Sequence, residues 1–144
     1  MKKITLLLAF VAFAFSSFTT DVNEQVLSIF NKSYPDAQSV SWAELSNSYQ
    51  VYFTRKNIAY RLLYDQEGNL ALSIKYYNED NLSPVILNKV RKAYPEFTIN
   101  SIIEKSTDNS VEYHIILDGK KKLITLRSDS IGSFEVESKY DKQD

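Results

Sequence analysis

His114 is the only imidazole of the 144-residue chain, and cysteine is absent. A Ser-His-Asp relay would have to be built on that one ring, yet no serine sits in a G-x-S-x-G turn that would expose it as a nucleophile. Disulfides, thiolate metal sites and zinc sites built from several imidazoles are excluded. The acidic pairs Glu79-Asp80 and Glu135/Glu137 raise glycosidase or calcium chemistry, but the spacing of calcium-loop ligands is missing. Glu79-Asp80 reads better as acids ahead of a helix, where they favour its dipole. Glu135 and Glu137 alternate with Phe134 and Val136, as on the wet face of a strand. Lys120-Lys121-Lys122 follows Asp118-Gly119, a tight-hairpin pair, and reads as a solvated arm. No cofactor, metal site or catalytic residue is expected.

Tyrosine is the more informative type. All ten lie beyond residue 20. Strand alternation places Tyr49, Tyr60, Tyr64 and Tyr113 on a core side with the helix-end Tyr34 and Tyr94. Tyr52 and Tyr77 fall on the other face, together with Arg61, Leu63, Lys75, His114, Ile116, Thr125 and Arg127. A face that mixes Tyr, Arg and aliphatic residues has the composition of protein-recognition surfaces. Tyr52, Arg61, Leu63, Lys75, Tyr77, His114, Ile116 and Arg127 are therefore the candidate partner-binding residues.

These residues are positioned by a pattern that runs twice. Val26 to Asp36 aligns with Ile86 to Glu96 at an offset of 60, and Tyr49 to Tyr76 with Tyr113 to Tyr140 at an offset of 64. The change of offset predicts a longer loop at residues 106–110. Each copy opens with a helix whose apolar stripe is Val22, Val26, Leu27, Phe30 and Tyr34, or Ile86, Leu87, Val90 and Tyr94. Asp21 is expected to cap the first helix, with Glu24 completing a capping box, and Ser83-Pro84 to start the second. Pro35 and Pro95 end both, because the residue before proline avoids helical angles. Period-two segments follow, separated by the turns Asp65-Gln-Glu-Gly68 and Asp129-Ser-Ile-Gly132. In the fourth, Leu70, Leu72, Ile74 and Tyr76 form the apolar phase and Ser73 and Lys75 the polar one. The expected fold is α+β, with two tandem helix-plus-four-strand repeats forming an eight-stranded antiparallel sheet and both helices on one face.

The address is written before residue 21. Lys2-Lys3, the apolar run Ile4 to Phe15 and the small and polar residues to Thr20 have the layout of a secretory signal peptide. The run is shorter than the ~20 residues of a membrane span, so no stable span is expected after cleavage. Residues 21–140 then form one domain, with repeat one at 21–78 and repeat two at 79–140. Loss of Lys2 and Lys3 takes the 17 basic side chains to 15, against 18 acidic. That balance argues against a nucleic-acid partner, which a basic surface would serve.

With the two Tyr-Pro helix ends, Ser41-Trp42 and both Asp-x-x-Gly turns, residues 22–140 resemble the β-lactamase-inhibitor-like, PepSY-like family of small exported bacterial proteins. The resemblance implies a concave sheet open to a partner, as in β-lactamase inhibitory protein, and a periplasmic or secreted location. It implies no catalytic residue, and inhibition of a β-lactamase does not follow from likeness of fold. The functional expectation is a non-catalytic exported module that binds a protein or peptide of the cell envelope on its open sheet face, as an inhibitor or accessory factor. The alternative is a small-ligand or ion-binding module that uses the sheet-end loops.

Overall fold

The computed structural model describes residues 21–143; the expected signal segment lies outside them. The elements run α1 (Glu24–Ser33), β1 (Gln38–Leu45), β2 (Ser48–Arg55), β3 (Ile58–Asp65) and β4 (Leu70–Tyr77). After a short 3-10 turn come α2 (Pro84–Ala93), β5 (Thr98–Thr107), β6 (Ser110–Asp118), β7 (Lys122–Ser128) and β8 (Phe134–Asp141). All eight strands form one open antiparallel sheet in chain order, so every pairing is with a sequence neighbour.

Each helix is amphipathic and stops where proline forbids another turn. Tyr34 and Tyr94 close them with nearly the same angles, φ −132° and ψ 61° against φ −130° and ψ 60°. At the start of α1 the expectation needs correction. The cap is Asn23, whose side chain accepts from Gln25 N, and not Asp21. Asparagine is as good a cap as aspartate, and Asn23 also reaches Gln66 O across the adjacent turn at 3.4 Å. Ser83 and Pro84 open α2 as expected, though the Ser83 hydroxyl makes no capping bond.

The first hairpins of the two halves share one register. Gln38 opposes Thr54, Ser41 opposes Tyr52 and Glu44 opposes Tyr49; in the second half Thr98 opposes Asp118, Ser101 opposes Ile116 and Glu104 opposes Tyr113. The extra residues of the second copy do not make the longer loop expected at 106–110. They lengthen the β5–β6 hairpin, which pairs to Thr107↔Ser110. Two added residues per strand leave the alternation of faces unchanged, so the insertion is accommodated without flipping either strand.

Gly68 and Gly132 adopt φ +88° and +79° in the two Asp-x-x-Gly turns, a region that glycine enters without steric cost. Both turns press on the helices. A Cβ on Gly68 would collide with Ile29, and one on Gly132 would stand 2.9 Å from Lys89 Cδ. Lys89 Nζ donates to Ile131 O at 2.8 Å, and Gln25 Nε2 to Glu67 O at 2.9 Å.

The core consists of two clusters on the helix side of the sheet. The first gathers Val22, Val26, Phe30, Val51, Phe53, Leu62 and Tyr64; the second gathers Ile86, Val90, Ile102, Ile115, Leu117, Ile124 and Leu126 among others. Directly opposed strand residues share a face, and the pairs Tyr60↔Lys75, Lys75↔Glu104 and Glu104↔Tyr113 run across the sheet between the clusters. Both helices therefore cover the same side.

Candidate functional site

The side of the sheet away from the helices meets no other element among the described residues, and the register decides what it displays. Tyr52 opposes Arg61, Arg61 opposes Ile74, Leu63 opposes Leu72, and Tyr76 opposes both Ala59 and Ile103. Ile103 opposes His114, which opposes Arg127. Of the sequence-predicted residues, Tyr52, Arg61, Leu63, His114, Ile116 and Arg127 are brought together on this open face.

Lys75 and Tyr77 are not. They stand on the helix side, where Lys75 opposes Tyr60 and Glu104, and Tyr77 opposes Ile102 and is 7% exposed. Lys75 Nζ donates to Glu104 Oε1 at 2.7 Å and the Tyr77 hydroxyl to Glu104 Oε2 at 2.6 Å. Burial, together with donation to the Glu104 carboxylate, raises the Tyr77 hydroxyl far above its ordinary pKa. Burial pulls the Lys75 ammonium down, and the Glu104 contact more than offsets it, so the net shift is upward. The apolar phase of β4 is reversed with them. Leu72, Ile74 and Tyr76, expected in the core, line the open face, and Tyr76 is 40% exposed.

The physical reason lies in the neighbours of β4. A strand in mid-sheet takes its facing from the register of the strands that flank it, and a one-residue slip exchanges all its faces. The pairing shifts between Leu63↔Leu72 and Tyr64↔Leu70, a bulge that leaves Ala71 unpaired. Beyond that bulge, Ser73, Lys75 and Tyr77 face the helices although their own hydropathy favours the opposite.

The two ends of the open face differ in chemistry. On the β2–β3 side, Arg61 Nε donates to Gln50 Oε1 at 2.8 Å and Gln50 Nε2 to the Tyr52 hydroxyl at 2.7 Å. The Arg61 guanidinium lies 5.8 Å from the Tyr52 ring centroid, a cation-π distance. Gln50, only 9% exposed, ties the pair together. The leucines and isoleucines of β3, β4 and β5 adjoin this group. On the β6–β8 side the face is ionic. His114 Nε2 is 2.8 Å from Glu112 Oε1 and Nδ1 is 2.8 Å from Glu137 Oε2, so only the doubly protonated ring can donate to both carboxylates. Arg127 pairs with Glu135.

Sequence reasoning missed Gln50, Leu72, Ile74, Tyr76 and Ile103 as members of this face. The signal that could have found the β4 residues was the match of β4 to β3, not the hydropathy of β4 alone.

The sheet-end loops offer less. The Asp65 carboxylate accepts from Asn69 N and Asn69 Nδ2, each at 2.8 Å, and Asp129 Oδ1 accepts from Ile131 N at 3.0 Å and Ser133 N at 2.9 Å. Both acids staple their own turns. A shallow pocket of about 360 Å³ beside Arg127 and Asp129 has walls whose charged groups are already paired. Among the described residues no group of three or more His, Asp or Glu side chains is arranged to hold a metal, and no helix is long and apolar enough to cross a membrane.

By sequence the chain matches no family model and no curated protein. By structure it superimposes on several solved proteins. A BLIP-like protein from Bacteroides fragilis NCTC 9343 aligns with TM-score 0.63 at 16% identity, over 85% of this chain and 87% of the other. The fold is BLIP-like. A DUF2874 family protein from Bacteroides ovatus ATCC 8483 gives TM-score 0.62 at 16% identity, over 85% and 89% of the two chains. A candidate periplasmic protein from Bacteroides eggerthii DSM 20697 gives 0.62 at 12% identity, over 85% and 90%. At these identities the BLIP-like likeness is one of fold.

Proposed function

We propose that the chain is an exported, non-catalytic binding module that holds a protein or peptide of the cell envelope on the open face of its BLIP-like sheet. The observation that carries the reading is the reversed β4. Leu72, Ile74 and Tyr76 are turned away from the helices, where Leu63 stands opposite Leu72 and Ile103 opposite Tyr76, with Arg61 and Lys105 on either side of Ile74. Contiguous apolar surface bordered by polar groups is characteristic of interaction sites. The Tyr52–Gln50–Arg61 group beside it supplies the aromatic and guanidinium side chains that dominate binding energy at such sites. Export is supported by the signal-like first 20 residues and by the candidate periplasmic neighbour. The ionic end, from Glu112 to Glu137, forms a polar rim.

Capture of partners from an envelope extract tests this, with the wild type compared to Tyr52→Ala/Arg61→Ala. The expected result is a folded double variant that loses capture, each truncation costing about 2 kcal/mol or more if the residue is an anchor. Unchanged capture by the double variant, with loss on substitution of Asp65 or Asp129, would overturn the reading in favour of a loop ligand.

A further inference from the structure

We infer that β8 of one molecule pairs with β1 of another, repeating between chains the joint that β4 and β5 make within the chain. This is independent of what the open face binds. Over the residues that would centre the joint, the inner pairings of the two strands are equivalent. Tyr60, Ala59 and Arg61 of β3 oppose Lys75, Tyr76 and Ile74; Ile124, Leu123 and Thr125 of β7 oppose Lys139, Tyr140 and Ser138 in the same order. On the other side, Ile102, Ile103 and Glu104 of β5 oppose Ile115, His114 and Tyr113, and Trp42, Ala43 and Glu44 of β1 oppose Val51, Gln50 and Tyr49. β8 therefore stands in the sheet as β4 does, and β1 as β5 does.

The internal joint pairs Lys75 with Glu104 and Tyr76 with Ile103. Carried over to the edges, it sets Lys139 against Glu44 and Tyr140 against Ala43. The charge pair at the centre of the joint, Lys75 Nζ to Glu104 Oε1 at 2.7 Å, is reproduced with the same two residue types in the same order. Neither edge has a strand partner among the described residues. Tyr140 is 64% exposed and Leu45 44%. Edge strands present unpaired backbone donors and acceptors that accept a further strand. The occupant that matches register and charge together is a second copy of this chain. Because β8 joins β1 and not itself, the contact is head-to-tail and can continue into a ring or an open run. Every copy would then turn its helices to one side and extend the open face.

Analytical ultracentrifugation across a concentration series of the purified protein, with charge-reversal variants, tests the pairing. Lys139→Glu or Glu44→Lys alone places like charges opposite and is expected to weaken association about tenfold. The combined Glu44→Lys/Lys139→Glu variant restores the pair and the association. Register is read separately, because the natural chain has no cysteine to interfere. Ala43→Cys protein mixed with Tyr140→Cys protein should form a mixed disulfide, whereas Ala43→Cys mixed with Ser138→Cys should not. A protein that stays monomeric throughout, single reversals with wild-type association, or Ala43→Cys protein cross-linking chiefly to itself would each overturn the inference.

Discussion

The two halves of the sheet build the same scaffold from different materials. In the first, Phe30 meets Trp42 edge-on at 5.2 Å and Phe53 at 5.1 Å between ring centroids, and Phe53 stacks on Tyr60 at 4.7 Å. Tyr34 joins at 4.8 Å from Phe53, with Arg55 5.9 Å from its ring. In the second half Val90 stands where Phe30 does, and Ile86, Ile102, Ile115, Leu117 and Leu126 are fully buried. There the aromatic residues retreat to the margin, with Tyr94 near Phe97 and Phe134. The register of the first hairpin and the Asp-x-x-Gly turns are common to both halves while the filling is not. The scaffold thus depends on where apolar volume is placed more than on its identity.

The sharpest way to break this comparison is to remove the ring at the centre of one half. Phe30→Ala is expected to destabilise by about 3–5 kcal/mol, through lost transfer energy and the cavity left among the rings of Tyr34, Trp42 and Phe53. Val90→Ala, its counterpart, deletes far less volume and should cost clearly less. Urea denaturation of the two variants measures the difference, and equal losses would mean that the rings do not act as a cluster.

A smaller effect is expected where the halves agree. Gly68→Ala and Gly132→Ala each force a side chain to positive φ, at about 1–2 kcal/mol, and press a methyl onto α1 or α2. Thermal midpoints should fall by similar amounts in both. A drop in one alone would show that the turn-to-helix contact matters in only one half.

At the seam between the halves, Tyr77→Phe removes one hydrogen bond to Glu104 and should cost about 1 kcal/mol. Lys75→Met, which leaves the half-buried Glu104 without its cation, should cost more. Chemical denaturation of the two variants ranks them.

The smallest effect is electrostatic and belongs to the first half. The Arg55 hydrogen bond holds the Asp36 carboxyl below its ordinary pKa, and Asn69 does the same for Asp65. A carboxyl whose folded pKa lies below its unfolded one adds stability that is complete above the unfolded value, near 3.8, and is lost as pH falls through the folded one. Asp36→Asn/Asp65→Asn should therefore lower stability slightly at neutral pH, where the contribution is complete, and flatten its further loss below about pH 4. Urea midpoints measured between pH 6 and pH 2.5 read this slope.

Most of the scaffold was legible because it is specified locally. Tyr-Pro ends a helix wherever it stands, Asp-x-x-Gly makes a turn from its own four residues, and alternation marks a strand. What escaped the sequence is specified by neighbours. Hydropathy alone turns Leu72, Ile74 and Tyr76 inward, yet the bulge at Ala71 and the pairing with β3 turn them outward. Lys75 and Tyr77 follow because Glu104, two strands from β3, receives both. Six of the eight candidate open-face residues were legible for the same reason that β4 was not. Their strands carry a hydropathy pattern that agrees with their register.

The strict order of the sheet bears on how the chain reaches its structure. Within each half, successive strands are joined by turns of two to five residues, so each hairpin closes at little entropic expense. Only β4 and β5 are far apart, with twenty residues between Tyr77 and Thr98 that hold the whole of α2. Their encounter requires a long loop to close, and it brings Lys75 and Tyr77 to Glu104. Assembly of the chain should therefore be nearly all local zippering with one late, non-local docking event. In hydrogen exchange during refolding, the amides of the β2–β3 and β6–β7 hairpins should gain protection before those shared by β4 and β5.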